Sequence, residues 1–154
     1  MNAIFAKMNF KNQSVIHVIN APESFVPVLN EMSKLTEIKA EVGEGDKISF
    51  IVVFVSKQQE VDEWAAKISP LLQGDGLLWF AYPKGTSKKY KCEFNRDTGW
   101  QILGKLGFEG VRQIAIDEDW SALRFRRVEY IKQMKRDEKR AMSTGGKEKV
   151  KKSN

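Results

Sequence analysis

The chain has one cysteine, Cys92, and one histidine, His17, among 154 residues. One cysteine excludes an internal disulfide, and one Cys with one His excludes every zinc-type ligand spacing; a reducing cytosol is the matching compartment. No apolar run approaches the ~20 residues of a membrane-spanning helix. The first residues, MNAIFAKMNFKNQ, lack the apolar stretch of a secretory signal. A phosphate-cradling Walker loop, a G-x-S-x-G nucleophile elbow and a metal-ligand cluster are also missing. The expectation is a cytoplasmic protein without membrane attachment, without a resident cofactor, and more a binder than an enzyme.

What is present is an ordinary globular composition, 42% hydrophobic and 30% charged. The net charge of +6 is unevenly spread. Residues 124–154 hold twelve Lys/Arg and four Asp/Glu, a net of +8, while residues 1–123 hold fourteen and sixteen, a net of −2. The folded part is therefore slightly acidic and the basicity belongs to the C-terminal tail. A basic tail attracts nucleic acid or other anionic surfaces, or simply keeps the chain solvated.

Residues 1–13 show no periodicity and read as a frayed or added arm. Residues 14–20 (SVIHVIN) are β-branched and apolar on both faces, a central strand, with His17 on the side of Val15 and Ile19. Ser24 is placed to cap a helix running to residue 34, with Pro27 tolerated in its first turn. Residues 36–42 (TEIKAEV) alternate as an edge strand guarded by charge. Residues 48–55 (ISFIVVFV) form a strand covered on both sides. Ser56 and Gln59 read as a capping box, followed by a helix with Val61, Trp64, Ala65 and Ile68 inward and Pro70 as its stop.

Residues 76–82 (GLLWFAY) form a further two-sided strand ended by Pro83, and the loop 84–92 carries four lysines. Asn95 is a good N-cap, and Trp100, Leu103 and Leu106 mark a helical stripe closed by Gly107. Residues 111–116 and 122–128 make an antiparallel hairpin around Asp117-Glu118-Asp119-Trp120. Strands alternating with helices give an α/β domain over residues 14–128. It is a three-layer, Rossmann-like, mostly parallel sheet with helices on both faces and the hairpin adding an antiparallel strand at an edge. The link after residue 42 is short for a parallel crossover, which leaves a ferredoxin-like α+β alternative open. Residues 129–154 read as a basic tail, helical and then disordered.

The YPK at 82–84, the RDTGW at 96–100 and the IDEDWSALRFR at 116–126 together resemble a domain-of-unknown-function family of small bacterial proteins, over about residues 14–128. That resemblance implies a domain shape and no activity. A second resemblance concerns topology. FIVVFVS, a helix, LLQGDGLLWFAY, a helix and a closing hairpin look like the back half of an S-adenosylmethionine-dependent methyltransferase. It implies a glycine-rich turn after the first strand and an acidic residue ending the second. Here the first turn is Asn20-Ala21-Pro22-Glu23-Ser24, with no glycine.

The candidate surface lies beyond the carboxyl ends of the strands, where open α/β sheets collect ligands. Lys84 follows such an end, Lys88 sits in the same loop, and Arg96 is expected at a helix N-terminus, whose free N–H groups favour anions. Asn20 and Asp117 belong to turns at the same edge. Asp117, Glu118 and Asp119 offer oxygen ligands to a divalent cation or form a solvated turn. Trp79 and Trp100 are placed for packing, while Trp120, at the hairpin turn, is the tryptophan placed for exposure. The functional expectation is a non-catalytic binding module with an anion- or phosphate-binding loop. The alternatives are a reduced methyltransferase-like or nucleotide-using enzyme, and association of nucleic acid with the basic tail.

Overall fold

Two β-branched runs lie side by side in the middle of the sheet in the computed structural model, which describes residues 2–131. Strand β1 (Val15–Ile19) pairs in parallel with β3 (Ile48–Phe54), His17 opposite Ile51 and Ile19 opposite Val53. On its other side β3 pairs in parallel with β4 (Leu72–Pro83). Every residue of β3 except Ser49 is buried, as a strand covered on both faces must be. Strand β2 (Glu37–Lys39) pairs with β1 at one edge. Strand β6 (Trp120–Arg127) runs antiparallel to β4, and β5 (Phe108–Ala115) lies outside it. The order is β2-β1-β3-β4-β6-β5.

Helices cover both faces. Helix α3 (Gln58–Ile68) and helix α4 (Gln101–Lys105) bring Val61, Ala65, Ile68 and Leu103 onto Ile51, Val53, Leu78, Phe80 and Phe125. On the opposite face, α1 (Ala3–Lys7) and α2 (Val26–Met32) cover Ile16, Val18, Phe50, Val52 and Trp79. The three-layer, Rossmann-like arrangement expected from the sequence is the one observed, and the ferredoxin-like alternative is excluded. No described helix is long and apolar enough to cross a membrane.

The short link that motivated the alternative has a simple geometry. Strand β2 is three residues long and ends level with His17, while β3 starts level with Ser14. Residues 40–47 therefore climb back only ~10 Å along the strands and ~10 Å across two strand spacings. Eight extended residues reach up to ~27 Å, so no crossover helix is required.

Several local expectations are corrected. The N-terminus is no loose arm: Asn2 caps α1 by accepting from the Ile4 and Phe5 amides (2.8 and 3.4 Å). Phe5, Met8 and Phe10 are all buried, each such burial being worth ~1.5–3 kcal/mol. Trp79 Nε1 also donates to the Met8 carbonyl (3.2 Å). The helix expected from Ser24 to residue 34 is a 3₁₀ turn, Glu23–Phe25, continued by the shorter α2, with Pro27 in its first turn as expected. The edge strand shrinks from 36–42 to β2. The cap of α3 falls to Glu60, whose carboxylate accepts from the Ser56 and Lys57 amides (2.9 and 3.0 Å), so the helix starts later than a Ser56–Gln59 box implies. Strand β4 begins at Leu72, with Gly74 at φ 51 inside an irregular stretch. The antiparallel strand is β6, one place in from the edge, because β6 carries the apolar side chains and β5 exposes its middle. The expected tail over 129–154 lies outside the described residues from position 132 on.

Candidate functional site

Strand β4 delivers Tyr82, Pro83 and Lys84 to the carboxyl edge of the sheet, and the chain then arches through residues 84–100 before α4. The arch is tied down along its length. The Lys84 amide donates to the Asp119 carbonyl (2.8 Å), and the Ser87 hydroxyl donates to Asp119 Oδ1 (2.8 Å). The Glu93 amide donates to the Ser56 carbonyl, while Glu93 Oε1 accepts from the Gln58 amide (2.9 Å each). Gln58 Nε2 donates to the Gly99 carbonyl (2.7 Å) and Trp100 Nε1 to the Asn95 carbonyl (2.9 Å).

Beneath the arch lies a hollow of about 740 Å³, to which Tyr82, Lys84, Lys91, Arg96 and Gln113 contribute. Among its lining residues there is no carboxylate. A second hollow of about 470 Å³ shares Arg96 and Gln113 with the first. Tyr82 is buried, and that burial pushes its phenol pKa up, opposed by the nearby Arg96 charge. Burial likewise raises the Cys92 thiol, so phenol and thiol both keep their protons at neutral pH.

One chain of hydrogen bonds sets the polarity of this hollow. Arg96 Nη1 donates to Gln113 Oε1 (3.3 Å), and Gln113 Nε2 donates to the Tyr82 oxygen (3.0 Å). A guanidinium has donors only, so the Gln113 amide must turn its oxygen to Arg96 and its nitrogen to Tyr82. The Tyr82 hydroxyl thus has an occupied lone pair, and no described acceptor takes its proton. It lines the hollow as a donor beside three cations.

Of the sequence-derived candidates, Lys84 and Arg96 meet in this hollow, while Lys88 is exposed on the arch outside its lining. Arg96 is not at a helix N-terminus. Asn95 caps a local turn by accepting from the Asp97 amide (2.8 Å), and Gly99 at φ 91 separates that turn from α4, whose N-cap is Trp100. Asn20, at φ 58, ends β1 outside the hollow. Asp117 Oδ1 accepts from the Asp119 and Trp120 amides (2.8 and 2.9 Å) and so closes the hairpin turn. Among the described residues no cluster of three or more acidic, His or Cys side chains could hold a metal. Trp120, expected to be exposed, is buried edge-on to Phe54 (5.1 Å) and beside Tyr90 (5.0 Å). Sequence reasoning passed over Tyr82 and Gln113. Tyr82 reads as the last core residue of an apolar strand, and Gln113 as an exposed position on an edge strand.

No family model and no curated protein matches the chain. Solved structures do. A SAM-dependent methyltransferase from Aquifex aeolicus superposes with a TM-score of 0.52 at 12% identity, over 79% of this chain and 86% of that one. Magnesium protoporphyrin IX methyltransferase from Synechocystis PCC 6803, with bound SAM, gives 0.51 at 12% identity over 80% and 74%. A putative type 11 methyltransferase from Sulfolobus solfataricus gives 0.51 at 7% identity over 81% and 89%. The fold is that of the class I SAM methyltransferases. The six-stranded sheet with its inserted antiparallel strand is the shared feature.

The turn after β1 departs from the glycine-rich cradle that the methyltransferase resemblance implies. In an open α/β sheet the ligand lies where strand order reverses, here outside the ends of β1 and β3. The turn after β1 has no glycine to admit a close backbone approach and contains Pro22. It leads straight into the Glu23–Phe25 turn, which buries Phe25 edge-on to Phe54 (5.0 Å). Phe54 is in turn covered by Trp120. Strand β2 ends in Lys39 rather than in a carboxylate. Past the end of β2 a small hollow of about 390 Å³ is lined by Lys39, Glu41 and Asp46 among others, and the larger hollow lies further along the sheet, above β4, β6 and β5.

Proposed function

We propose that this chain is a reduced methyltransferase-fold protein that binds a small anionic ligand in the hollow above β4 rather than a methyl donor at the β1 turn. The observation that supports it is the lining. Lys84, Lys91 and Arg96 supply positive charge, Arg96 also pairing through Nε with the exposed Asp97 carboxylate (3.5 Å) outside the lining. Tyr82 is held as a donor by Gln113, and no carboxylate lines the hollow itself. Such a donor set suits a ligand made of acceptors, a phosphate above all. A second reading is a reduced methyltransferase-like enzyme. The scaffold itself favours it, because the similar structures are methyltransferases, one of them with bound SAM.

Calorimetric titration separates the two. Inorganic phosphate is expected to bind the wild type and to bind Arg96→Ala roughly tenfold more weakly, the loss of one charge-assisted contact. S-adenosylmethionine is expected to give no heat. Binding of S-adenosylmethionine with an unaffected Arg96→Ala variant would transfer the case to the second reading.

A further inference from the structure

Resting on that reading, we infer that the ligand of the hollow is a phosphate monoester whose body is a planar ring. Size is the first reason. The hollow, at about 740 Å³, falls in the ~300–1,000 Å³ range of pockets that enclose organic ligands. A bare phosphate occupies the space of only a few waters, at ~30 Å³ each, and leaves most of it empty.

The walls give the second reason. The arch crosses the carboxyl edge of the sheet from one face to the other. Tyr90 packs on the cluster beneath α1 and α2, while Phe94 is buried in the cluster beneath α3 and α4. Both line the hollow together with Tyr82, whose ring lies 6.1 Å from that of Phe94. The rings are individually fixed, Tyr90 against Trp120 (5.0 Å) and Phe94 against Trp100 (4.9 Å) and Tyr82. The exposed Lys89 ammonium lies over the Tyr90 ring (5.5 Å), a side chain that a flat ligand would displace. Fixed aromatic faces favour a flat partner, which they contact without losing side-chain freedom.

Charge is the third reason. Three cations and the Tyr82 hydroxyl exceed what one carboxylate can satisfy and match the two charges and three free oxygens of a phosphate monoester. The ligand is therefore divided as the hollow is, with phosphate toward Lys84, Lys91 and Arg96 and ring toward Tyr90 and Phe94.

The test is a calorimetric series on the full chain with inorganic phosphate, cyclohexyl phosphate, phenyl phosphate and phenol. Phenyl phosphate is expected to bind about tenfold tighter than inorganic phosphate, the worth of one stacking contact. Cyclohexyl phosphate falls between them, and phenol shows no binding. Tyr90→Leu is expected to remove most of the advantage of phenyl phosphate and to leave inorganic phosphate unchanged, whereas Arg96→Ala weakens all three phosphates. Equal affinity for phenyl phosphate and inorganic phosphate overturns the inference but leaves the anion-binding reading intact. Equal affinity for phenyl and cyclohexyl phosphate overturns the planar body. Silence from all four overturns both. The series on the wild type decides the matter even if Tyr90→Leu fails to fold.

Discussion

His17 is 2% exposed, and neither ring nitrogen has a hydrogen-bond partner. Its nearest charge is Asp46 Oδ2, 3.6 Å from Nε2, carried on the link that crosses over β1. Burial pushes the His17 pKa below its ordinary 6.5; Asp46 opposes this and Lys39 adds to it. The folded state therefore holds a neutral imidazole, and the unfolded chain takes up the proton first as pH falls. The stability linked to His17 is complete above pH 6.5 and is lost as pH drops from there through the lower folded value. One such group changes stability by at most ~1.4 kcal/mol per pH unit. Asp46 titrates below its ordinary 3.8, outside that window, held down chiefly by the Gly43 amide. Thermal unfolding between pH 7.5 and 5 checks this: the wild type should lose stability across the range, and His17→Leu should lose less. Parallel curves would mean that His17 does not titrate on unfolding. At this scale the sequence was readable for what is buried and mute about what is paired. The alternation around His17 put it inside, but the long-range pairs of Tyr82 with Gln113 and of Asp75 with Arg124 and Arg126 (31, 49 and 51 residues apart) leave no local trace. That is why the donor chain of the hollow was missed.

Two glycines flank α4, and they are not equivalent. Gly107 sits at φ 90, just past the Leu106 cap, with nothing within 4 Å of where a Cβ would stand. An alanine there meets only the left-handed penalty of roughly 1–2 kcal/mol, and asparagine recovers part of it. Gly99 sits at φ 91, and a Cβ would lie 2.6 Å from Phe94 Cβ and 2.8 Å from Gln58 Oε1. Gly99→Ala adds a steric clash to the same penalty and pushes on the arch that roofs the hollow. Denaturant unfolding should rank Gly99→Ala well below Gly107→Ala, by at least ~1 kcal/mol, and Gly99→Ala alone should weaken phosphate binding. Equal losses for the two would show that the arch yields freely. The elements that were legible are those with long patterns: β3, β4 and the stripe of α3. Helix α4 was overextended because Asn95 is a genuine capping residue used for a turn, and Gly99 ends that turn before the helix begins. Helix α1 was missed because five residues are too short to show a period, although Asn2 carries the N-cap signal.

At the scale of the molecule, the sheet and the tail carry separate properties. Residues 1–131 contain seventeen basic and seventeen acidic side chains, a net of zero, and residues 132–154 contain nine and three, a net of +6. All of the net charge thus sits beyond the described domain. Within the domain, positive charge is local. The arch gathers Lys84, Lys91 and Arg96 around the hollow. On the other face of β6, Arg124 and Arg126 share Asp75, the latter at 2.6 Å. Removing residues 132–154 should therefore divide two behaviours. Retention on a heparin or nucleic-acid column depends on net charge and on the number of cations brought to the polyanion, and falls steeply with salt. It should be strong for the full chain at low salt and nearly absent for a chain ending at Ile131. Phosphate binding in the hollow draws on side chains of the domain itself, Lys84 half-buried and Lys91 and Arg96 exposed. It too weakens with salt, but it should survive the truncation within about twofold. If the shortened chain still binds the column, the polyanion surface belongs to the domain. If it loses phosphate binding while remaining folded, the tail contributes to the hollow, and the division of the molecule into a neutral binding domain and an electrostatic arm fails.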